Sequence, residues 1–412
     1  METFRFDNGV RLILDNMPSS TSVSIGFFLK MGSKYENKSN SGISHFIEHL
    51  LIKQEKNGAP VVEMLEDNGV SINAFTTKEY LCVYSKCLPE YCIRVTNILL
   101  NNILLNPQFI EVHLETERKV IQSEIARYQD NFYETVQSNL IRTMFHGHPL
   151  SMDILGYEDN IKEFTTTDLE QYYDEHFSTE EMVISISGNV NRDMQVEKIK
   201  NIISNIRKKT KNNKRSIPEL IITTAEEIIY RRTYQNFFCF GYPTISYLHK
   251  DIVKLLTLVQ ILGIGSRSVL AKKMRCEEGL VYSLHANPVL YKEGGVLLFK
   301  LSSPSKNGMD RVLSVFKSTI YHVVQKGIPD GDFLRAINTI KSHMVFSSEN
   351  NQYRMLESGK RLLLGIETEK YFDVFDFDKS FALFEELTVE NLNAFASNQL
   401  HDEPSYSILL SN

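Results

Sequence analysis

Two histidines one helical turn apart, His45 and His49, stand near the start of the chain with an acid between them, Glu48, in the run His-Phe-Ile-Glu-His. On an α-helix, residues i and i+4 lie one above the other, so both imidazoles can address one ion. Glu48 follows His45 by three residues and sits beside that pair, within reach of a water on the ion. Two imidazoles do not complete a catalytic zinc site, which takes three protein ligands and keeps one position open. The helical run 109–128 offers Glu117 and Glu124, seven apart and so on nearly one face. One of these acids can bind the ion while the other holds a histidine ring through its free N–H. A histidine pair is also ordinary polar helix surface, and a five-residue motif arises by chance, so the rest of the chain decides.

At 412 residues the chain exceeds one ordinary core and predicts two domains or more. Hydrophobic residues at 42% and charged residues at 23% are the balance of a globular protein. A formal charge of −6 excludes a general nucleic-acid binder, which needs a basic face to neutralise phosphates. The opening METFRFDNGVRLIL shows no signal-peptide pattern, and no apolar run approaches the roughly 18 residues that span a bilayer. A cytoplasmic protein without a membrane span is expected. The odd set of scattered cysteines (Cys82, Cys87, Cys92, Cys239 and Cys276) contains no CxxC pair and reads as reduced, mostly buried thiols.

The elements that must position the acids and histidines follow from periodicity. Alternating runs at 3–6, 10–14 and 22–29 suit antiparallel strands, and a helix carrying His45 follows. Next come a short helix at 61–67, a strand pattern over 70–85, helices at 90–105 and 109–128, a strand at 182–190 and an amphipathic stretch to 206. A basic, apolar-poor run, RKKTKNNKRSIP at 207–218, reads as an exposed linker between domains 1–206 and 219–412. Beyond it the order repeats: strand 237–242, helix 250–274, strands 280–287 and 295–301, helices 311–326 and 331–346. The expected architecture is α+β, two similar domains, each an antiparallel sheet with helices packed on it, related by an ancestral duplication.

His45-x-x-Glu48-His49, with Glu117 and Glu124 in Glu-Arg-Lys-Val-Ile-Gln-Ser-Glu, resembles the inverzincin metallopeptidases: pitrilysin, insulin-degrading enzyme and the mitochondrial processing peptidase, and among them the short bacterial processing-protease-like members. Four more segments fall in that family's order, so the similarity spans almost the whole chain. They are Gly69–Tyr80 (Gly-Val-Ser-Ile-Asn-Ala-Phe-Thr-Thr-Lys-Glu-Tyr), His148-Pro-Leu, Ser187-Gly-Asn-Val and Met274–Tyr282. The resemblance implies one Zn2+ per chain on His45, His49 and Glu124, Glu48 as base, and Glu117 behind a histidine ligand. The same donors suit cobalt and manganese. This chain departs from the family pattern after His49, where it reads Leu-Leu-Ile-Lys-Gln-Glu-Lys-Asn-Gly, and at Asp130-Asn-Phe132.

By the same resemblance, Arg275 and Tyr282 reach a peptide carbonyl as it gains charge. Asn73, Ala74 and Phe75 then lie on a sheet edge to which an extended peptide adds as a strand. The implied protein is a zinc endopeptidase for unfolded or short peptides, working in a chamber enclosed by two chains. A homodimer suffices because one chain carries both residue sets; a heterodimer with a related subunit is the alternative. Three other functions stay open at this point: removal of leaders from ribosomally made peptides, a non-catalytic subunit role, and a binding module that uses the edge strand alone.

Overall fold

The computed structural model describes residues 1–190, 195–210, 216–366 and 375–412. Residues 211–215 of the expected linker lie outside the described residues. The chain forms two compact units. The first comprises Met1–Ala126, Met152–Ile217 and Ser347–Gly365, and the second Arg127–Ser151, Pro218–Phe346 and Ile366–Asn412. Each unit therefore includes a helix from the opposite half of the sequence.

The first unit is built on six strands: β1 (Glu2–Arg5), β2 (Arg11–Asn16), β3 (Val23–Leu29), β4 (Ser71–Thr76), β5 (Leu81–Cys87) and β6 (Met182–Gly188). They lie in the order β1-β2-β6-β3-β5-β4, antiparallel throughout except for the parallel pair β2/β6. The strand pattern at 70–85 resolves into β4 and β5, because Thr77 donates its N–H to the Tyr80 carbonyl at 2.8 Å and turns the chain. On one face Ile25, Phe27 and Leu29 of β3 join a core shared with α1 (Ile43–Ile52) and α2 (Glu111–Asp130). The other face of β3 and β6 is covered by the helix Asn351–Leu364, which is why every residue of these central strands is buried.

That covering helix sits close to the sheet. A Cβ on Gly26 of β3 would strike the Met355 sulfur, and one on Gly359 would overlap the Phe28 ring. Arg354 pairs with Asp15, with one Nη2–Oδ1 distance of 2.8 Å, and Ser24 donates to Asn351 at 3.1 Å, which fixes the helix along the strands.

The second unit carries β7 (Glu226–Arg231), β8 (Gln235–Thr244), β9 (Ser283–Leu290), β10 (Gly295–Pro304) and β11 (Ser405–Ser411), in the order β9-β10-β8-β11-β7. Only β7/β11 is parallel. With β1 set aside, both sheets repeat one topology: first strand, last, second, fourth, third, with the first and last parallel. The shared order is the duplication expected from the sequence. The single parallel pair in each sheet was not anticipated, because the strand that closes it comes from far along the chain. The helix Phe132–Met144 packs on β8 and β11, with Gly241 making room for Leu140 and Met144.

The helix expected at 250–274 is interrupted. It runs Ile252–Gly263, breaks at Gly265 with φ +84°, and resumes as the short turn Ala271–Glu277. Four cysteines are buried free thiols and Cys276 is exposed. Among the described residues no helix is long and apolar enough to cross a membrane.

A helix-interior glycine replaced by alanine ordinarily gains up to about 1 kcal/mol from helix propensity. At Gly359 we expect the opposite sign. Gly359→Ala should lose stability in urea unfolding and Gly359→Val should lose more, about 1–3 kcal/mol, through overlap with Phe28. A stabilised alanine variant would show that the helix does not sit this close.

Candidate metal centre

Helix α1 forms because Ile43, Phe46, Ile47, Leu50 and Leu51 recur at helical spacing and bury together. The flank of that stripe carries His45, Glu48 and His49. The residue preceding the helix, Gly42, has φ +95°, and its Cα lies so close to Leu155 and Gly156 that a Cβ would collide with their backbone. Gly42 brings no side chain to cap the first turn. Glu36 does so from outside the helix: its carboxylate accepts the N–H groups of Gly42 at 2.8 Å and Ser44 at 2.9 Å. A buried carboxylate there satisfies donors the helix leaves open and complements the positive end of its dipole.

Helix α2 buries Leu114, Glu117, Ile121 and Ile125, so an acid sits inside its apolar stripe. Glu117 earns that position by two bonds. Its Oε2 lies 2.8 Å from His49 Nδ1, and its Oε1 lies 3.3 Å from Lys53 Nζ. With its Nδ1 donating to Glu117, His49 turns the lone pair of Nε2 the other way, toward Glu124.

Glu124 Oε2 stands 3.6 Å from His45 Nε2 and 3.5 Å from His49 Nε2, and the three donor atoms lie within 4.8 Å of one another. These separations are too long for hydrogen bonds. Two ligands of a tetrahedral zinc, each about 2.0–2.1 Å from the ion, stand roughly 3.4 Å apart. The donor set of two imidazole nitrogens and one carboxylate oxygen therefore fits zinc in type, and the two separations from Glu124 are close to that spacing. Burial, helped by the nearby His49, pushes the His45 pKa down to about 3, which keeps its imidazole neutral and able to donate a lone pair. Burial also opposes protonation of His49, but the bond to Glu117 and the charges of Glu48, Glu117 and Glu124 outweigh it and raise the pKa. An ion there must displace that proton. His45 Nδ1, unlike that of His49, is buried without a hydrogen-bond partner among the described residues.

Glu48 lies on the same helix beside these donors. Burial raises its pKa, partly countered by the Thr76 hydroxyl, which donates to its Oε2 at 2.8 Å. Thr76 ends β4, the outermost strand of its sheet, and a buried Lys34–Glu79 pair at 2.8 Å fastens the segment preceding Glu36 to the turn after Thr76. On β4, Asn73 accepts the Ala74 N–H at 2.8 Å, and the Phe75 ring meets Tyr80 and Tyr84, each at a centroid distance of 6.0 Å. Asn73 is thus a strand residue.

Arg275 and Tyr282 belong to the second unit. Arg275 is exposed on the turn Ala271–Glu277, and the Tyr282 side chain is exposed immediately before β9, its N–H donating to the Ser302 carbonyl at 2.8 Å. Three contributors were not picked out from the sequence: Glu36, Lys53 and the hydroxyl of Thr76. Asn40 and Ser41 are ordinary capping types standing just before the helix, and they mask the part played by Glu36.

Residues 11–158 match the family model described as insulinase (peptidase family M16), and residues 163–340 match the model described as the peptidase M16 inactive domain. The chain belongs to the M16 peptidase family. Within it, the chain is 28% identical over 368 residues, 89% of each protein, to a Bacillus subtilis protein named as an uncharacterised zinc protease. It is 25% identical over 372 residues to the probable beta subunit of the mitochondrial-processing peptidase of Arabidopsis thaliana, covering 86% of this chain and 69% of that protein. A protease from Helicobacter pylori shares the fold over 99% of both chains, with a TM-score of 0.89 at 18% identity. An M16 structure from Pseudomonas fluorescens, titled as the inactive domain, matches 100% of this chain and 98% of its own with a TM-score of 0.88 at 15% identity. Every residue of the histidine–glutamate cluster falls within the first M16 match.

Two measurements probe this centre. Glu117→Gln keeps the shape but removes the charge that orients His49, and zinc affinity measured by chelator competition should fall about 10–100-fold; unchanged affinity would assign Glu117 to packing alone. Glu36 supplies a pH test. Burial raises its pKa to about 7, against the opposing effect of the Gly42 and Ser44 N–H bonds. A folded-state pKa above the ordinary carboxylate value means that the stabilising contribution is full in acid and is lost as pH rises toward and through about 7. Between pH 5 and 8 the wild type should lose roughly 1–3 kcal/mol relative to Glu36→Gln in urea unfolding. Parallel stability curves for the two proteins would contradict this.

Proposed function

We propose that this chain is a zinc-dependent endopeptidase that hydrolyses unfolded or short peptides, with Glu48 as the general base. The observation that carries it is the convergence of His45, His49 and Glu124, from two helices, at separations suited to one tetrahedral ion, with Glu48 alongside. Zinc on those three donors would supply Lewis acidity and bring the pKa of a water towards about 7. Glu48 would take a proton from the attacking water and return it to the leaving amine. Burial raises the Glu48 pKa, which strengthens it as a base relative to an exposed carboxylate. Thr76 orients this carboxylate through its hydroxyl, which donates to Oε2.

The outer edge of β4 is a place where an extended peptide can pair through its backbone, bringing its scissile bond past Glu48 without demanding a particular sequence. Asn73, Ala74 and Phe75 line this edge in our proposal, and Arg275 and Tyr282 donate to the carbonyl oxygen as it gains negative charge. Their exposure leaves both side chains free to meet a substrate. The presence of both residue sets in one chain supports a pair of identical chains as the working enzyme, with a related inactive partner unnecessary.

Metal content and turnover test the proposal together. Purified protein should carry about one zinc per chain and cleave an unstructured peptide library, with cleavage abolished by chelator and restored by zinc. Glu48→Gln should retain the zinc and lose turnover by several orders of magnitude. Undiminished turnover in that variant would remove Glu48 as base, and a metal-free, inert wild type would support a non-catalytic subunit instead.

A further inference from the structure

Glu117 and Glu124 stand on α2 while His45 and His49 stand on α1, so these side chains meet only if the two helices pack at one register. A slide of α2 by a single residue's rise, about 1.5 Å, would carry both acids away from the rings. The buried apolar stripe of α2, Leu114, Ile121 and Ile125, draws the helices together. Hydrophobic attraction is non-directional and does not by itself fix that register. Directional bonds from α2 can, and Arg118, the residue after Glu117, makes them.

The Arg118 side chain is only 12% exposed, and its guanidinium reaches three elements. Nη1 donates to the Ile161 carbonyl, and Nη2 donates to the Phe164 carbonyl at 2.8 Å, both at the C-terminal end of the helix Glu158–Glu163. Carbonyls there lack partners within the helix and form the negative end of its dipole, which suits a cation. Nε and Nη2 also donate to Glu115, three residues back on α2, at 3.1 and 2.9 Å, which braces the plane of the fork. The guanidinium carbon lies 5.8 Å from the centre of the Phe46 ring, and Phe46 follows His45 on α1. Phe46 in turn meets the Phe164 ring edge-on, with centroids 6.1 Å apart. The same segment holds the entry to α1: Asn160 donates to the Lys38 carbonyl at 2.8 Å, and the Ile161 side chain fills the space a Cβ on Gly42 would need.

We propose that Arg118 is a positioning residue for the metal centre. Its fork ties α2 to residues 161–164, and its cation lies on the α1 ring next to a candidate ligand. Together these contacts set the register that brings Glu117 to His49 Nδ1 and Glu124 beside both Nε2 atoms. The bonds of Arg118 go to Glu115, Ile161 and Phe164, none of them a candidate donor, so it acts through the placement of α2. The assignment rests on the zinc centre proposed above. A lysine keeps the charge over Phe46 but has no planar fork with which to hold two carbonyls at once.

Chelator competition for zinc on the folded full chain tests this with R118Q, R118K and, as a control, G359A. Affinity should fall roughly tenfold in R118Q, the lower end of what losing an outer partner of a ligand costs, and by a smaller factor in R118K. G359A, expected to weaken the fold on the opposite face of the same sheet, should bind zinc as wild type does. An equal fall in G359A would reduce the effect of Arg118 to general stability and overturn the assignment. The visible absorption of cobalt(II)-loaded protein reads ligand geometry, and its bands should change in R118Q while staying those of wild type in G359A. Wild-type affinity and bands in R118Q would overturn the positioning role and leave the metal centre standing. Should R118Q fail to fold, R118K decides alone, since wild-type affinity there would overturn the forked anchor. A wild type that binds zinc no better than E124A would overturn the centre itself, and with it the role of Arg118.

Discussion

The bond between Glu117 and His49 is the contact on which the proposed metal centre depends. Helix α1 brings His45, Glu48 and His49 on one flank, but nothing within that helix decides which ring nitrogen of His49 faces outward. Glu117 decides it by accepting the Nδ1–H hydrogen bond at 2.8 Å, and the same helix then presents Glu124 to Nε2 at 3.5 Å. One turn pattern on α2 therefore does two jobs: Glu117 orients the His49 ring, and Glu124, seven residues on, stands beside both Nε2 atoms. Glu36 and the Lys34–Glu79 pair extend the control outward by fixing the start of α1 and the turn beyond β4. The centre is held by backbone caps and buried acids as much as by its donors.

Much of the site was legible in the sequence because its spacing is local. His45, Glu48 and His49 fall within one helical turn, and Glu117 and Glu124 within two. Choosing between the two acids was not a matter of spacing, since both occupy one face; family resemblance made the choice, and in the structure Glu117 bonds His49 Nδ1 while Glu124 stands beside Nε2. The cap by Glu36 escaped because it depends on the path of the chain before Gly42, where nearer residues of capping type stand.

The fold was legible in the same local terms and obscure in the non-local ones. Alternation located β2, β3, β6, β8 and β10, and helical periodicity located α1 and α2. The strands β7 and β11 went unread, although β11 runs beside β8 and closes the second sheet. Nor did hydropathy reveal that the helices Phe132–Met144 and Asn351–Leu364 cover sheets formed mainly by the other half of the chain, because an apolar face does not name its partner. Glycines 26, 241 and 359 mark where those helices come closest, a meaning visible only once the two surfaces are known. Both units share one topology, while among the described residues the candidate His–His–Glu group lies in the first.

X-ray absorption at the zinc edge of stoichiometrically loaded protein tests the central claim most directly. The account predicts one zinc per chain with a first shell of nitrogen and oxygen at about 2.0–2.1 Å, an outer-shell signature of two imidazoles, and no sulfur. In Glu124→Ala the outer imidazole signal should persist while affinity collapses. A sulfur shell near 2.3 Å, or zinc bound equally well without Glu124, would contradict a centre built from His45, His49 and Glu124.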